Sequence, residues 1–103
     1  MSLQRKIMTL IAPIPDPTTR MDVASTINYL FSVYNTGVVN DDEVKDALFE
    51  VCRDVLEATN PDLGMEEIRK RAETLAKEFM SAFKLESSVR RMMSRFRGRF
   101  MPL

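Results

Sequence analysis

Five arginines fall within the last fourteen residues of this 103-residue chain, and no acid, histidine or lysine accompanies them. Arg90, Arg91, Arg95, Arg97 and Arg99 alternate there with Met92, Met93, Phe96, Phe100 and Met101. A guanidinium is a planar fork that grips phosphate in two places and stacks on flat rings. Phe96 and Phe100 add aromatic planes able to stack on unpaired bases, while the positive charge tracks a phosphate backbone. Each phosphate neutralised also releases condensed counterions, so binding of this type falls steeply with salt. The chemistry indicated is binding of nucleic acid by Arg90, Arg91, Arg95, Phe96, Arg97, Arg99 and Phe100. No set of base-reading side chains stands out, so sequence specificity is not expected.

The same segment suits two other partners. Val89, Met92, Met93 and Phe96 recur at helical spacing, and methionine adapts well to irregular contacts. Val89, Met92 and Met93 are therefore candidates for a protein interface. Residues 41–57 carry seven acids against Lys45 and Arg53, so they could receive the basic end within a protomer or across a homodimer. An assembly or adaptor subunit is the alternative reading. Peripheral attachment to an anionic membrane is the third, because basic amphipathic helices do this too.

The total formal charge of zero hides this asymmetry. Residues 1–84 hold ten Lys/Arg against fourteen Asp/Glu, whereas residues 85–103 hold five Arg against Glu86 alone. Charge asymmetry between parts of a chain is a clue to partners that net charge conceals.

Elsewhere the chain is poor in reactive chemistry. It has no histidine and one cysteine, Cys52. That removes the side chain that titrates near neutrality, Ser/His and Cys/His nucleophile pairs, and any paired-thiolate zinc site. Three widely spaced glycines make no phosphate-cradling loop. We expect a non-enzymatic protein with no metal and no cofactor. Asp41, Asp42, Glu43 and Asp46 form the one carboxylate cluster, which acids favoured at a helix start largely explain. In Arg69-Lys70-Arg71, Lys70 follows Glu66 by four and Arg71 follows Glu67 by four, the spacing that favours ion pairs within one helix. Cys52 lies on an apolar stripe, where a free thiol packs as a small apolar group.

Three helices must position these residues. Val23, Ile27, Leu30 and Tyr34 step by four, three and four, from a start capped by Thr18 or Thr19 to a stop at Gly37. Val44, Leu48, Val51, Val55 and Ala58 repeat the pattern between an Asn40 cap and Asn60-Pro61. Met65, Ile68, Ala72, Leu75, Phe79 and Ala82 define the third stripe. Short connections between such stripes predict an all-α protein, a small antiparallel bundle of three helices. The basic C-terminus extends it and can form a fourth helix. That helix is expected to reach about Phe96 and to break at Gly98, leaving residues 99–103 mobile.

The chain therefore divides into an apolar and proline-rich arm at 1–17, a helical bundle at 18–86 and an arginine-rich segment at 87–103. Alternating Pro13, Pro15 and Pro17 make the connecting stretch extended and non-helical. A core from so short a chain is marginal and has no disulfide, so a homo-oligomer, a dimer in the simplest case, is expected. The apolar run 7–12 is too short for a signal peptide, and no stretch of about 18 apolar residues spans a bilayer. Together with the single thiol, this points to a soluble cytoplasmic protein without a transmembrane segment.

Overall fold

The structure is a computed structural model that describes the backbone of residues 2–100 and the side chains of residues 2–92. Four helices and no strand occur among the described residues: α1 Leu3–Ile11, α2 Pro17–Thr36, α3 Asp41–Thr59 and α4 Met65–Phe100. The all-α class is as expected, but the helices are not distributed as the sequence suggested.

The first difference is α1, which occupies the apolar part of the segment expected to be an arm. Leu3, Ile7 and Leu10 step by four and three and are buried, which is a helical stripe in nine residues. Ser2 caps the helix by accepting from the Arg5 amide at 3.2 Å. A helix this short is marginal in water, so its packing on the other three helices holds it. Residues 12–16 after it are non-helical and bury Ile14, but they open with a turn in which the Ile14 amide donates to the Ile11 carbonyl at 3.0 Å, and Pro17 already belongs to α2.

The start of α2 is the second difference. Asp16, not Thr18 or Thr19, is the cap, and Pro17 takes the first helical position. Proline is at home there because its missing N–H would have had no helical partner anyway. Thr19 instead donates to Asp16, from its amide at 3.1 Å and its hydroxyl at 2.6 Å. At its other end α2 stops at Gly37, whose φ of +72° is a left-handed conformation that costs glycine little.

Asn40 caps α3 as the sequence indicates. Its carbonyl oxygen accepts from the Glu43 amide at 2.9 Å while its amide donates to the Glu43 carboxylate at 3.0 Å. The first bond satisfies one exposed amide of the first turn, and the second ties the two side chains together. From α3, Val44, Leu48, Cys52 and Val55 enter the core, whereas Ala58 is exposed.

The short 60–64 connection folds α4 back on α3, and these two helices share the most extensive contact in the molecule. Ala72 and Ala76, both fully buried, allow close approach there. Phe79 and Phe83 fill the centre, and Phe83 meets Phe31 and Tyr34 of α2 with ring centroids 5.1 and 5.8 Å apart. Met65, read as the start of the stripe, is exposed.

The third difference lies at the far end of α4. Its backbone is helical through Gly98 to Phe100, so no break occurs at that glycine. A single glycine in a helix costs only about 1 kcal/mol relative to alanine, and no stop signal adjoins this one. At 1.5 Å per residue α4 is about 54 Å long. It accounts for most of the 58 Å long axis of the molecule.

Candidate nucleic-acid interface

Residues 87–100 of the arginine-rich segment are not a separate element: their backbone continues α4. Ser87 is the last buried residue described on that helix. Beyond it, Ser88, Val89, Arg90, Arg91 and Met92 are all exposed.

Glu86 is the one acid near these arginines in sequence. It stands four residues before Arg90, a spacing at which helix ion pairs form. The pair does not form. The Glu86 carboxylate turns to the N-terminus of α1 and accepts from the Leu3 amide at 3.4 Å. A carboxylate is favoured there by the exposed amides and the positive end of the helix dipole. Docking of α1 thus withdraws the acid from the basic segment.

Arg90 turns in the other direction. Its guanidinium carbon lies 5.0 Å from the centroid of the Phe31 ring on α2. This cation–π contact places the guanidinium over an almost fully buried ring. Arg91 reaches back one turn and donates to the Ser87 hydroxyl at 3.4 Å. Ion pairs do form elsewhere among the described residues, but none involves Arg90 or Arg91. The two guanidinium groups flank an open notch of about 680 Å³ between the end of α2 and α4, with Asn35, Tyr34 and Ser87 on its walls. Asp41 also borders this notch and is placed 3.9 Å from Lys84.

The other charged groups behave differently. Arg53 contacts Glu50, Asp54 and Glu57 of its own helix. Arg69 pairs with Glu66 at 3.1 Å and with Glu73 at 3.6 Å, while Arg71 pairs with Glu67 at 3.1 Å. Glu66 thus takes Arg69 rather than the Lys70 indicated by spacing. Among the described residues, no group of three or more His, Cys, Asp or Glu side chains is placed to share a metal ion. Cys52 is fully buried, and burial, reinforced by the nearby Glu78 charge, pushes its thiol up to about 12.

Of the sequence-derived site residues, Arg90 and Arg91 lie side by side at the notch. Val89 and Met92 lie on another face of α4, exposed by 47% and 57%. Leu85, four residues before Val89, is also 59% exposed. These three share one line along the helix, opposite the face that buries Ala76, Phe83 and Ser87. Leu85 was missed because it falls just before the arginine cluster, yet its spacing from Val89 carried the signal. The side chains of Met93, Arg95, Phe96, Arg97, Arg99 and Phe100 lie outside the described residues, as do residues 101–103. No described helix is long and apolar enough to cross a membrane.

No known protein family, curated protein or solved structure matches the chain. Function must therefore be argued from the site itself.

Proposed function

We propose that the protein is a non-enzymatic helical module that binds nucleic acid, without sequence preference, through the basic end of α4. The observation that carries this reading is the exposure of Arg90 and Arg91 without a carboxylate partner among the described residues. The contact with Phe31 is to the ring and uses no N–H acceptor, so the Arg90 N–H groups remain able to grip a phosphate. Arg95, Arg97 and Arg99 extend the charge along the chain, and Phe96 and Phe100 supply stacking surfaces for unpaired bases. The helical body is the scaffold.

The test is titration of the full chain with labelled single-stranded and duplex oligonucleotides of mixed sequence at two or more salt concentrations. Replacement of Arg90 and Arg91 together by alanine should weaken binding and flatten its salt dependence. Binding that is indifferent to salt and to both arginines contradicts the reading.

A second reading is favoured by the line of Leu85, Val89 and Met92. Three exposed apolar side chains on the outer face of a helix are a feature of contact surfaces. In this reading the protein is an assembly subunit, a homodimer in its simplest form, with the acidic α3 as a complementary surface. Light-scattering mass of wild type and of Val89→Glu/Met92→Glu across a range of concentrations distinguishes the two. A concentration-dependent mass that the double variant abolishes supports assembly. A monomer in both cases removes the homodimer.

A further inference from the structure

We infer that the recess between α1, the C-terminal end of α3 and the middle of α4 is a binding site for a small, largely apolar molecule bearing one uncharged hydroxyl or amide group. The recess has a volume of about 380 Å³ and is partly enclosed. That is within the range of ordinary small-molecule sites. It lies on a different part of the molecule from the arginine notch and shares no lining residue with it.

Its walls decide the class of ligand. Leu10, Val55 and Phe79 are buried at its floor, and Leu56 and Leu75 pack partly buried beside them. The hydroxyls that border it are already committed as donors. Thr9 donates to the Arg5 carbonyl at 3.0 Å, and Thr59 donates to the Val55 carbonyl at 2.8 Å. The Asn60 amide donates to the Leu56 carbonyl at 3.3 Å and to the Thr59 hydroxyl at 3.0 Å. The body of a ligand therefore meets an apolar surface with few spare donors.

One charged pair lines the recess. Lys6 Nζ and Glu78 Oε2 lie 3.7 Å apart, longer than a hydrogen bond, with the lysine the more covered of the two. A hydroxyl or primary amide can accept from Lys6 and donate to Glu78 at once. A carboxylate ligand would face the Glu78 charge, and an amine would face Lys6. The pair thus favours an uncharged head group over either ion.

The test uses the full chain with labelled methyl groups, titrated in parallel with 4-butylphenol, 4-butylbenzoate and butylbenzene. Saturable shifts from 4-butylphenol, confined to Leu10, Val55, Leu56 and Leu75, are expected. Butylbenzoate should bind more weakly. Lys6→Met should weaken 4-butylphenol by about tenfold or more, as loss of a hydrogen bond to a charged group does, and leave butylbenzene unchanged. Leu75→Trp, which fills the recess, should abolish binding of all three; Leu75→Phe is the milder alternative if the tryptophan variant does not fold. Shifts that fail to saturate, or that spread to exposed methyls such as Val38 and Val89, overturn the site. Saturable binding that ignores the Lys6 substitution, or a preference for the benzoate, overturns the ligand class.

Discussion

The Arg90 guanidinium is held 5.0 Å from the Phe31 ring centroid while the carboxylate one turn earlier, Glu86, is drawn to the Leu3 amide. Each contact removes one way in which the arginine could have been neutralised locally. For nucleic acid, Arg90→Ala should remove one phosphate contact and lower the slope of log affinity against log salt by about 0.7 on single strands. Arg90→Lys should recover the charge and most of that slope but lose the planar fork that grips phosphate in two places, and with it part of the affinity. Fluorescence anisotropy over a salt series reads both numbers. Cys52 gives a sharper residue-level test. With its thiol pushed up to about 12 inside the core, it should stay unreactive towards a thiol reagent at pH 8 in native protein. It should react at once in denaturant. Prompt native-state labelling would show that the second apolar stripe is not packed as described.

At the scale of elements, the caps carry testable weight. Asn40→Ala removes the acceptor for the Glu43 amide and should cost about 1 kcal/mol in chemical denaturation. Gly37→Ala forces a Cβ into the left-handed region and should also destabilise, although the space around it is open. Asp16 predicts a pH effect. The Thr19 hydroxyl and then its amide hold the carboxyl below its usual value by favouring the ionised form. Its contribution is therefore fully present above about pH 4 and is lost as pH falls through the lowered folded value. Wild-type melting temperature should drop through that acid range by more than that of Asp16→Asn, which caps without titrating. An identical pH profile for the two proteins would count against this cap.

The boundaries at Gly37, Asn40 and Asn60 were legible because each is a local signal, a left-handed glycine, a side-chain cap or a proline stop. The α1 helix was not, although Ser2 and the Leu3, Ile7 and Leu10 spacing were in view. Nine residues are too few for periodicity to outweigh the neighbouring prolines, and the burial that stabilises them comes from helices distant in sequence. The start of α2 was misplaced by a few residues because aspartate and threonine both cap, and only the folded geometry shows which one accepts. At the site, exposure of Arg90 and Arg91 followed from their charge. The Phe31 cation–π contact and the diversion of Glu86 join residues 59 and 83 positions apart, which no spacing rule reports.

On the scale of the whole molecule, one helix of about 54 Å joins two regions. Its buried residues from Ile68 to Ser87 build the core with the other helices, and Arg90 and Arg91 beyond them are exposed, as are Leu85, Val89 and Met92 on the outer face. The body should consequently tolerate changes at the basic end. Phe83→Ala, by contrast, empties the centre of the aromatic cluster and should cost about 3–5 kcal/mol, enough to unfold a marginal protein. Circular dichroism melts should leave Arg90→Ala/Arg91→Ala close to wild type and bring Phe83→Ala far below it. This separation allows the proposed binding at the basic end to be tested without disturbing the fold.

The most direct measurement is the salt dependence of single-stranded oligonucleotide binding by wild type and by Arg90→Ala/Arg91→Ala, both confirmed folded. The account predicts weaker binding by the double variant and a slope smaller by about 1.4, the share of two phosphate contacts. Equal affinities and equal slopes for the two proteins would contradict it.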